Sequence, residues 1–145
     1  MIKPLVTSSK ELKVKCIPVK PGEDISTIVT DLEDTLKTLK GYALASNQIG
    51  YNKQIAVVRM IICNIVLVNP IILSKNGKIR FNESCLSFPG LRILTDRYNE
   101  IVVESGAEEE KQRYSLSGLE AVVIQHEIDH LNGLTMMDRK HRKQR

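Results

Sequence analysis

Two histidines one helical turn apart constrain this chain more than any other feature. They lie in the run His126-Glu127-Ile128-Asp129-His130. On a helix, positions i and i+4 share a face, so both imidazoles can converge on one ion. Glu127 follows the first of them closely enough to reach a water on that ion, the HExxH arrangement of metallo-hydrolases. Going backwards, the same face runs through Val123, Val122 and Leu119, so an apolar stripe leads directly into the histidines. A solvated pair does not normally extend such a stripe, and two buried histidines need two separate hydrogen-bond partners where one metal satisfies both. The spacing predicts a helix over 118–132, with Ser117 as N-cap, Glu120 completing a capping box and Gly133 at C′.

A tetrahedral catalytic site takes three protein ligands and keeps one position open. After Gly133 the only acid is Asp138, eight residues past His130, so the third ligand is expected upstream. The candidate is Cys85, in the segment ESCLS at 83–87. Cys16, Cys63 and Cys85 are odd in number and irregularly spaced, which is no disulfide framework and leaves a free thiolate available. No run of 18 apolar residues is present, so no membrane span is expected. Neither a signal nor a transit peptide is visible, and the cytoplasm is the expected compartment. The 145 residues suit a single catalytic domain, 1–145, with a basic tail at 139–145.

The remaining pattern predicts an α+β fold. Ile25, Ile28, Val29, Leu32, Leu36 and Leu39 follow helical spacing over 25–40, with Asp24 as N-cap and Gly41 at C′. Residues 55–59 and 61–68 read as strands, the second buried and closed by Asn69-Pro70. Asn76-Gly77 is a turn signal, with 78–81 as a return strand and 100–104 as another short strand.

Three segments in order resemble the motifs of the peptide deformylase family: GYALASNQIG at 41–50, ESCLS at 83–87 and QHEIDHL at 125–131. The last matches the family pattern fully. Asn69-Pro70 and Arg97 also fall where the family has an NP pair and an arginine, and the resemblance spans roughly residues 12–138. It implies a peptide deformylase-like fold, with antiparallel or mixed sheets around a central HExxH helix. The activity implied is hydrolysis of the N-formyl group from the N-terminal methionine of nascent polypeptides, releasing formate. Cys85, His126 and His130 would hold the metal, with Glu127 as general base and acid. The Gln48 side chain and the Leu86 backbone N–H would stabilise the oxyanion. Tyr42, Ala43, Phe81, Leu119, Val122 and Val123 match the methionine pocket, although each is equally a core residue by type. Glu83 and Arg97 resemble an ion pair supporting the metal loop. The family commonly works with Fe2+, and Zn2+, Ni2+ or Co2+ are compatible with one thiolate and two imidazoles.

The pattern departs from the family at two glycines, replaced here by Ala43 and Ser84, which bear on rate and substrate range. The short run after His130 resembles compact forms such as those encoded by phages. The tail carries five of the positive charges, and without them the net +4 becomes −1. It is either a solvated end or a contact to the ribosome and its RNA. Two rivals remain at this level. One is an HExxH metallopeptidase, which leaves Cys85 and Gln48 unexplained. The other is a deformylase-like ribosome-binding module with a structural metal, which needs neither Glu127 nor Gln48.

Overall fold

The computed structural model describes residues 1–107 and 110–142. Along the chain run α1 (Ser9–Leu12), α2 (Ser26–Lys37), β1 (Ala43–Ala45), a 3-10 turn (Ser46–Ile49), β2 (Ile55–Arg59) and β3 (Asn64–Val68). The long strands β4 (Ile71–Cys85) and β5 (Phe88–Ser105) follow, then β6 (Gln112–Ser117), α3 (Gly118–Leu131) and a second 3-10 turn (Met136–Arg139). The strands form two sheets, ordered β1-β2-β3 and β4-β5-β6, and every pairing within them is antiparallel. The expected α+β class holds, with antiparallel rather than mixed sheets among the described residues. The parallel bridge there, Ile17 to Lys53, lies outside the strands.

Helix α3 packs between the sheets. Its Ala121, Ile124, Ile128 and Leu131 share one core with Ala43, Ala45, Ala56, Val58 and Leu67 of the first sheet and Ile101, Val103 and Leu116 of the second. Strand side chains alternate between faces. Ile55 and Val57 of β2 therefore face the other way, into a second core with Leu32 and Leu36 of α2. Burial on both faces makes β1 and residues 55–58 of β2 continuously apolar, where a half-buried strand would alternate. Its small Ala43, Ala45 and Ala56 all fall on the α3 side and let the helix approach closely.

Several local expectations change. The first helix ends at Lys37, with Thr38 at its C-terminal cap position, so Gly41 is no C′ residue. Thr38 Oγ1 donates to the Thr35 carbonyl at 2.7 Å, closing the helix early. Ile25 holds the N-cap position, and Asp24 instead accepts from the Ser26 amide and hydroxyl in a turn before the helix. Residues 61–68 are not one buried strand. Pairing of Arg59 with Asn64 leaves Met60, Ile61, Ile62 and Cys63 as the tip of a hairpin, closed by Met60 N–H to the Cys63 carbonyl at 3.0 Å. Ile61 and Ile62 are 94% and 95% exposed, because hairpin register overrides their β propensity.

Asn76-Gly77 makes no turn. Gly77 takes φ 71 inside β4, yet pairing runs on from Asn76–Glu100 to Lys78–Tyr98. Residues 78–81 therefore continue the same strand, and the reversal comes at Leu86-Ser87, between paired Cys85 and Phe88. Residues 100–104 lie within the much longer β5. Ser117 does sit at the N-cap of α3, but its side chain makes no capping bond, so the capping box is absent.

Gly133 behaves as expected, with φ 77 just beyond α3 and its N–H on the His130 carbonyl at 3.0 Å. A Cβ there would stand 2.5 Å from the Lys13 carbonyl oxygen, whereas Gly22, at φ 74, has open space around it. Gly22→Ala should cost about 1 kcal/mol of left-handed strain alone, and Gly133→Ala clearly more, because backbone must also move. Urea unfolding of both at fixed metal loading checks this, and equal losses would refute the rigid approach of residue 133 to Lys13.

Candidate metal centre

Helix α3 brings His126 and His130 to one side, and the end of the β4–β5 hairpin brings Cys85 to meet them. A register shift between Ser84 and Cys85 bends that hairpin end. Cys85 Sγ lies 3.4 Å from His130 Nε2, which is 3.0 Å from His126 Nε2. The three donor atoms lie within 4.8 Å of one another. Cys85 and His130 are buried, and the His126 side chain keeps 11% exposure.

What aims His126 is a buried charge network. Its Nδ1–H donates to Glu83 Oε1 at 2.7 Å, which turns Nε2 towards Cys85 and His130. Glu83 in turn receives the Arg97 fork, Nε on Oε2 and Nη2 on Oε1, and the Thr95 hydroxyl on Oε2. Burial alone would raise the Glu83 carboxyl, but the bonds from Arg97 and His126 outweigh it and hold the group down to about 2. The remaining Arg97 nitrogen, Nη1, donates to Asp129 Oδ2, and Asp129 also takes the fork of Arg139. On the other histidine, the Asn47 amide donates to the His130 carbonyl at 2.6 Å, while His130 Nδ1 is buried without a partner.

The donor set suits a cation. Burial disfavours charge on His126, yet Cys85, Glu83 and Glu127 overcome it and hold the imidazole up to about 10. His130, buried beside that charge, is pushed well below its usual value. A metal ion at the point the three donors face would take the place of the additional proton on His126, leaving both imidazoles neutral as ligands. A thiolate and two imidazole nitrogens are the ligands of zinc and iron(II) sites.

Glu127 stands next to this point without belonging to the cluster. It is buried, its Oε1 has no partner, and burial raises its carboxyl to about 7. Its Oε2 lies 4.0 Å from His126 Nε2. Gln48 is fixed from behind: its Oε1 accepts the Ala45 N–H at 3.0 Å, so Nε2 points to Ser87 Oγ at 3.2 Å and Cys85 Sγ at 3.7 Å.

Cys85, His126, Glu127, Gln48 and Leu86 line one cleft of about 600 Å³. Tyr42, Ala43, Phe81, Leu119, Val122 and Val123 form its apolar wall, and Glu83 also reaches it. All the residues named from sequence for substrate thus share a single cavity, whereas His130 and Arg97 sit behind it. Ala43 lies within β1 and Ser84 at the register shift near the end of β4, and neither has the positive φ that would require glycine. Reading by sequence missed Asp129, Arg139, Thr95, Ser87 and Asn47. Asp129 lay inside the HExxH run and Ser87 inside ESCLS, and each read as a spacer. Thr95 and Asn47 carried no local signal. Arg139 looked like the start of a solvated tail.

Two imidazoles and a thiolate converging at the back of a cleft, beside a buried carboxylate with an unpartnered oxygen, define a metal-dependent hydrolase. The family model described as "Polypeptide deformylase" matches residues 2–145. A peptide deformylase of Aquifex aeolicus (strain VF5) is 36% identical over 124 residues, covering 81% of this chain and 73% of its own length. Among solved structures, peptide deformylase from Thermotoga maritima superposes with a TM-score of 0.91 at 26% identity, covering 98% of this chain and 99% of that one. The enzyme of Vibrio parahaemolyticus bacteriophage VP16T, solved in complex with actinonin, gives 0.85 at 36% identity, covering 92% and 99%. The chain belongs to the peptide deformylase family.

Arg97 sits between two buried carboxylates, and removing it takes two of the four donors on Glu83 and one of the three on Asp129. Arg97→Met should lower stability by on the order of 3–5 kcal/mol, as for a broken buried pair. Urea unfolding checks this, and a loss under about 1 kcal/mol would mean that water or Arg139 replaces the guanidinium.

Proposed function

We propose that Cys85, His126 and His130 hold the catalytic metal, and that Glu127, Gln48 and the Leu86 N–H carry out hydrolysis of the formyl group of formyl-methionyl nascent chains. The observation carrying this reading is the convergence of three donor atoms beside a buried carboxylate whose Oε1 has no hydrogen-bond partner. A divalent ion held there would supply Lewis acidity and would make water a stronger nucleophile near neutral pH. Iron(II) is the proposed physiological ion, with zinc, nickel or cobalt as substitutes, and the cytoplasm the proposed compartment. Residues 1–145 would then act as one catalytic domain.

Glu127 takes a proton from the attacking water and returns one to the leaving amine. Its raised pKa, about 7, suits both directions of transfer near neutral pH. As the formyl carbon becomes tetrahedral its oxygen gains negative charge. Gln48 Nε2 and the Leu86 N–H donate to it, each such donor being worth roughly 10²–10³ in rate. Gln48 needs little reorganisation to do so, because Ala45 already fixes its amide. The methionine side chain fills the wall made by Tyr42, Ala43, Phe81, Leu119, Val122 and Val123, where an unbranched thioether adapts to an irregular slot. A peptidase reading leaves Gln48 and Cys85 without purpose, and a structural metal leaves Glu127 buried at a cost with no return.

The ribosome is the proposed macromolecular partner, through a wider surface than the tail alone. Arg139 is engaged with Asp129, and Lys140 pairs with Thr95 as an isolated bridge. Residues 143–145, the rest of the basic tail, lie outside the described residues. Arg142 and Lys140 instead line a groove of about 870 Å³ with Lys78 and Arg80 of β4. None of these four cations has an ion-pair partner among the described residues, which suits a phosphate backbone.

Glu127→Ala should retain about one metal per chain yet lose about 10²–10⁴-fold in formate release from formyl-Met-Ala-Ser. Cys85→Ala should lose metal and activity together. Metal content and formate release measured on the same samples separate the roles, and near-wild-type turnover in metal-loaded Glu127→Ala would exclude the mechanism. For the partner, Lys78→Glu with Arg80→Glu should weaken ribosome binding at low salt and reduce the salt slope by about 2. Unchanged affinity and slope in sedimentation assays would remove the groove from the interface.

A further inference from the structure

The basic C-terminal segment does more than end the chain. From Met136 it makes a 3-10 turn, and then Lys140 bridges to Thr95 and the His141 N–H reaches the Leu94 carbonyl at 2.7 Å. The His141 ring adds Nδ1 to Asp96 Oδ1 at 2.8 Å. The segment is thus laid along the stretch of β5 that carries Thr95 and Arg97. Just before these anchorages Arg139, its side chain 44% exposed, reaches back to α3. Its Nε meets Asp129 Oδ2 at 3.0 Å and its Nη2 meets Oδ1 at 2.9 Å, a bidentate fork on a carboxylate of the HExxH helix.

That fork completes a chain of five charged or ligating groups: Arg139, Asp129, Arg97, Glu83 and His126. Arg97 alone faces two buried carboxylates and has to divide its donors between them. With Arg139 in place, two guanidiniums face two carboxylates. Asp129 Oδ1 is then satisfied from outside the network, and Arg97 gives Asp129 only Nη1 while Nε and Nη2 both stay on Glu83. Glu83 held by that fork is what orients His126. Outer partners of a ligating histidine typically change metal affinity 10–100-fold when removed.

We propose that Arg139 is a positioning residue of the metal centre, acting through Asp129, Arg97 and Glu83 to fix His126, so that the C-terminal segment governs how tightly the ion is held. The proposal rests on Cys85, His126 and His130 being the ligands. Arg139 touches neither substrate nor ion.

The test uses the full chain loaded with cobalt(II), following the visible spectrum and the rate of metal transfer to an excess of a chromogenic chelator. Arg139→Gln should speed metal loss by about tenfold, the low end for outer-shell partners, and shift the cobalt bands. Arg139→Lys keeps the charge without the fork and should fall between wild type and Arg139→Gln. Arg113→Gln removes a surface guanidinium paired with Glu104 and serves as the control for charge alone. Wild-type release rates and spectra in Arg139→Gln overturn the proposal, as does equal acceleration in Arg113→Gln. Should Arg139→Gln fail to fold, Arg139→Lys decides: release indistinguishable from wild type overturns the proposal, and faster release with shifted bands supports it. If the wild-type chain itself binds no cobalt, or Cys85→Ala binds it as well as wild type, the ligand assignment fails first and this inference with it.

Discussion

The carboxylate of Glu83 is the point through which sheet, helix and metal centre are joined. It comes from β4, accepts from Arg97 and Thr95 on β5, and accepts from His126 on α3. Taking a carboxylate out of water costs several kcal/mol unless its lone pairs are filled. Here four donors fill the roughly four sites a carboxylate offers. The arrangement is therefore satisfied only when three elements meet in one register. A second clamp acts beside it. Gln125, just before His126, places its Nε2 on the Tyr98 carbonyl at 2.7 Å and takes the Tyr98 N–H on Oε1 at 3.0 Å. The two clamps pin the rotation of α3, which is what aims a pair of histidines at a third ligand from another element.

Packing sets the distance that these polar contacts then refine. The first sheet faces α3 with three alanines beside Val58 and Leu67, and faces α2 with Leu44, Ile55 and Val57. Small side chains on one face bring the helix close, and large ones on the other supply most of the buried apolar area. The first sheet also runs straight into the 3-10 turn that carries Asn47 and Gln48. Close approach of α3 therefore also brings the Asn47 amide onto the His130 carbonyl.

Much of this was legible in the sequence because its signals were local. The helix with its two histidines, β2, the glycine after α3 and the Cys85 segment all depend on neighbours within a few residues. The readings that failed depended on distant partners. Ile61 and Ile62 have strong strand propensity, but the pairing of Arg59 with Asn64 decides that they form a tip. Asn76-Gly77 has a turn's composition, but β5 pairs across it. Asp129 and Arg139 lie ten positions apart, and each looked ordinary until Arg97, from a strand far earlier in the chain, showed what they share. Charge networks of this kind leave little periodic trace, since any acid and any base at the right places in space will serve.

The separation of the ligands along the chain has a consequence for how the protein matures. Cys85 and His130 are 45 residues apart, and Asn47, which buttresses His130, is 83 residues from it. A chain in which only α3 has formed presents two imidazoles, which hold metal poorly. The thiolate joins only when the long β4–β5 hairpin has closed and docked, a non-local event that comes late because loop closure must precede its reward. Tight metal capture thus marks the end of assembly, and by mass action the captured ion deepens only the finished state. A partly folded intermediate that released the hairpin would give up the thiolate ligand, so metal content would report on the tertiary structure.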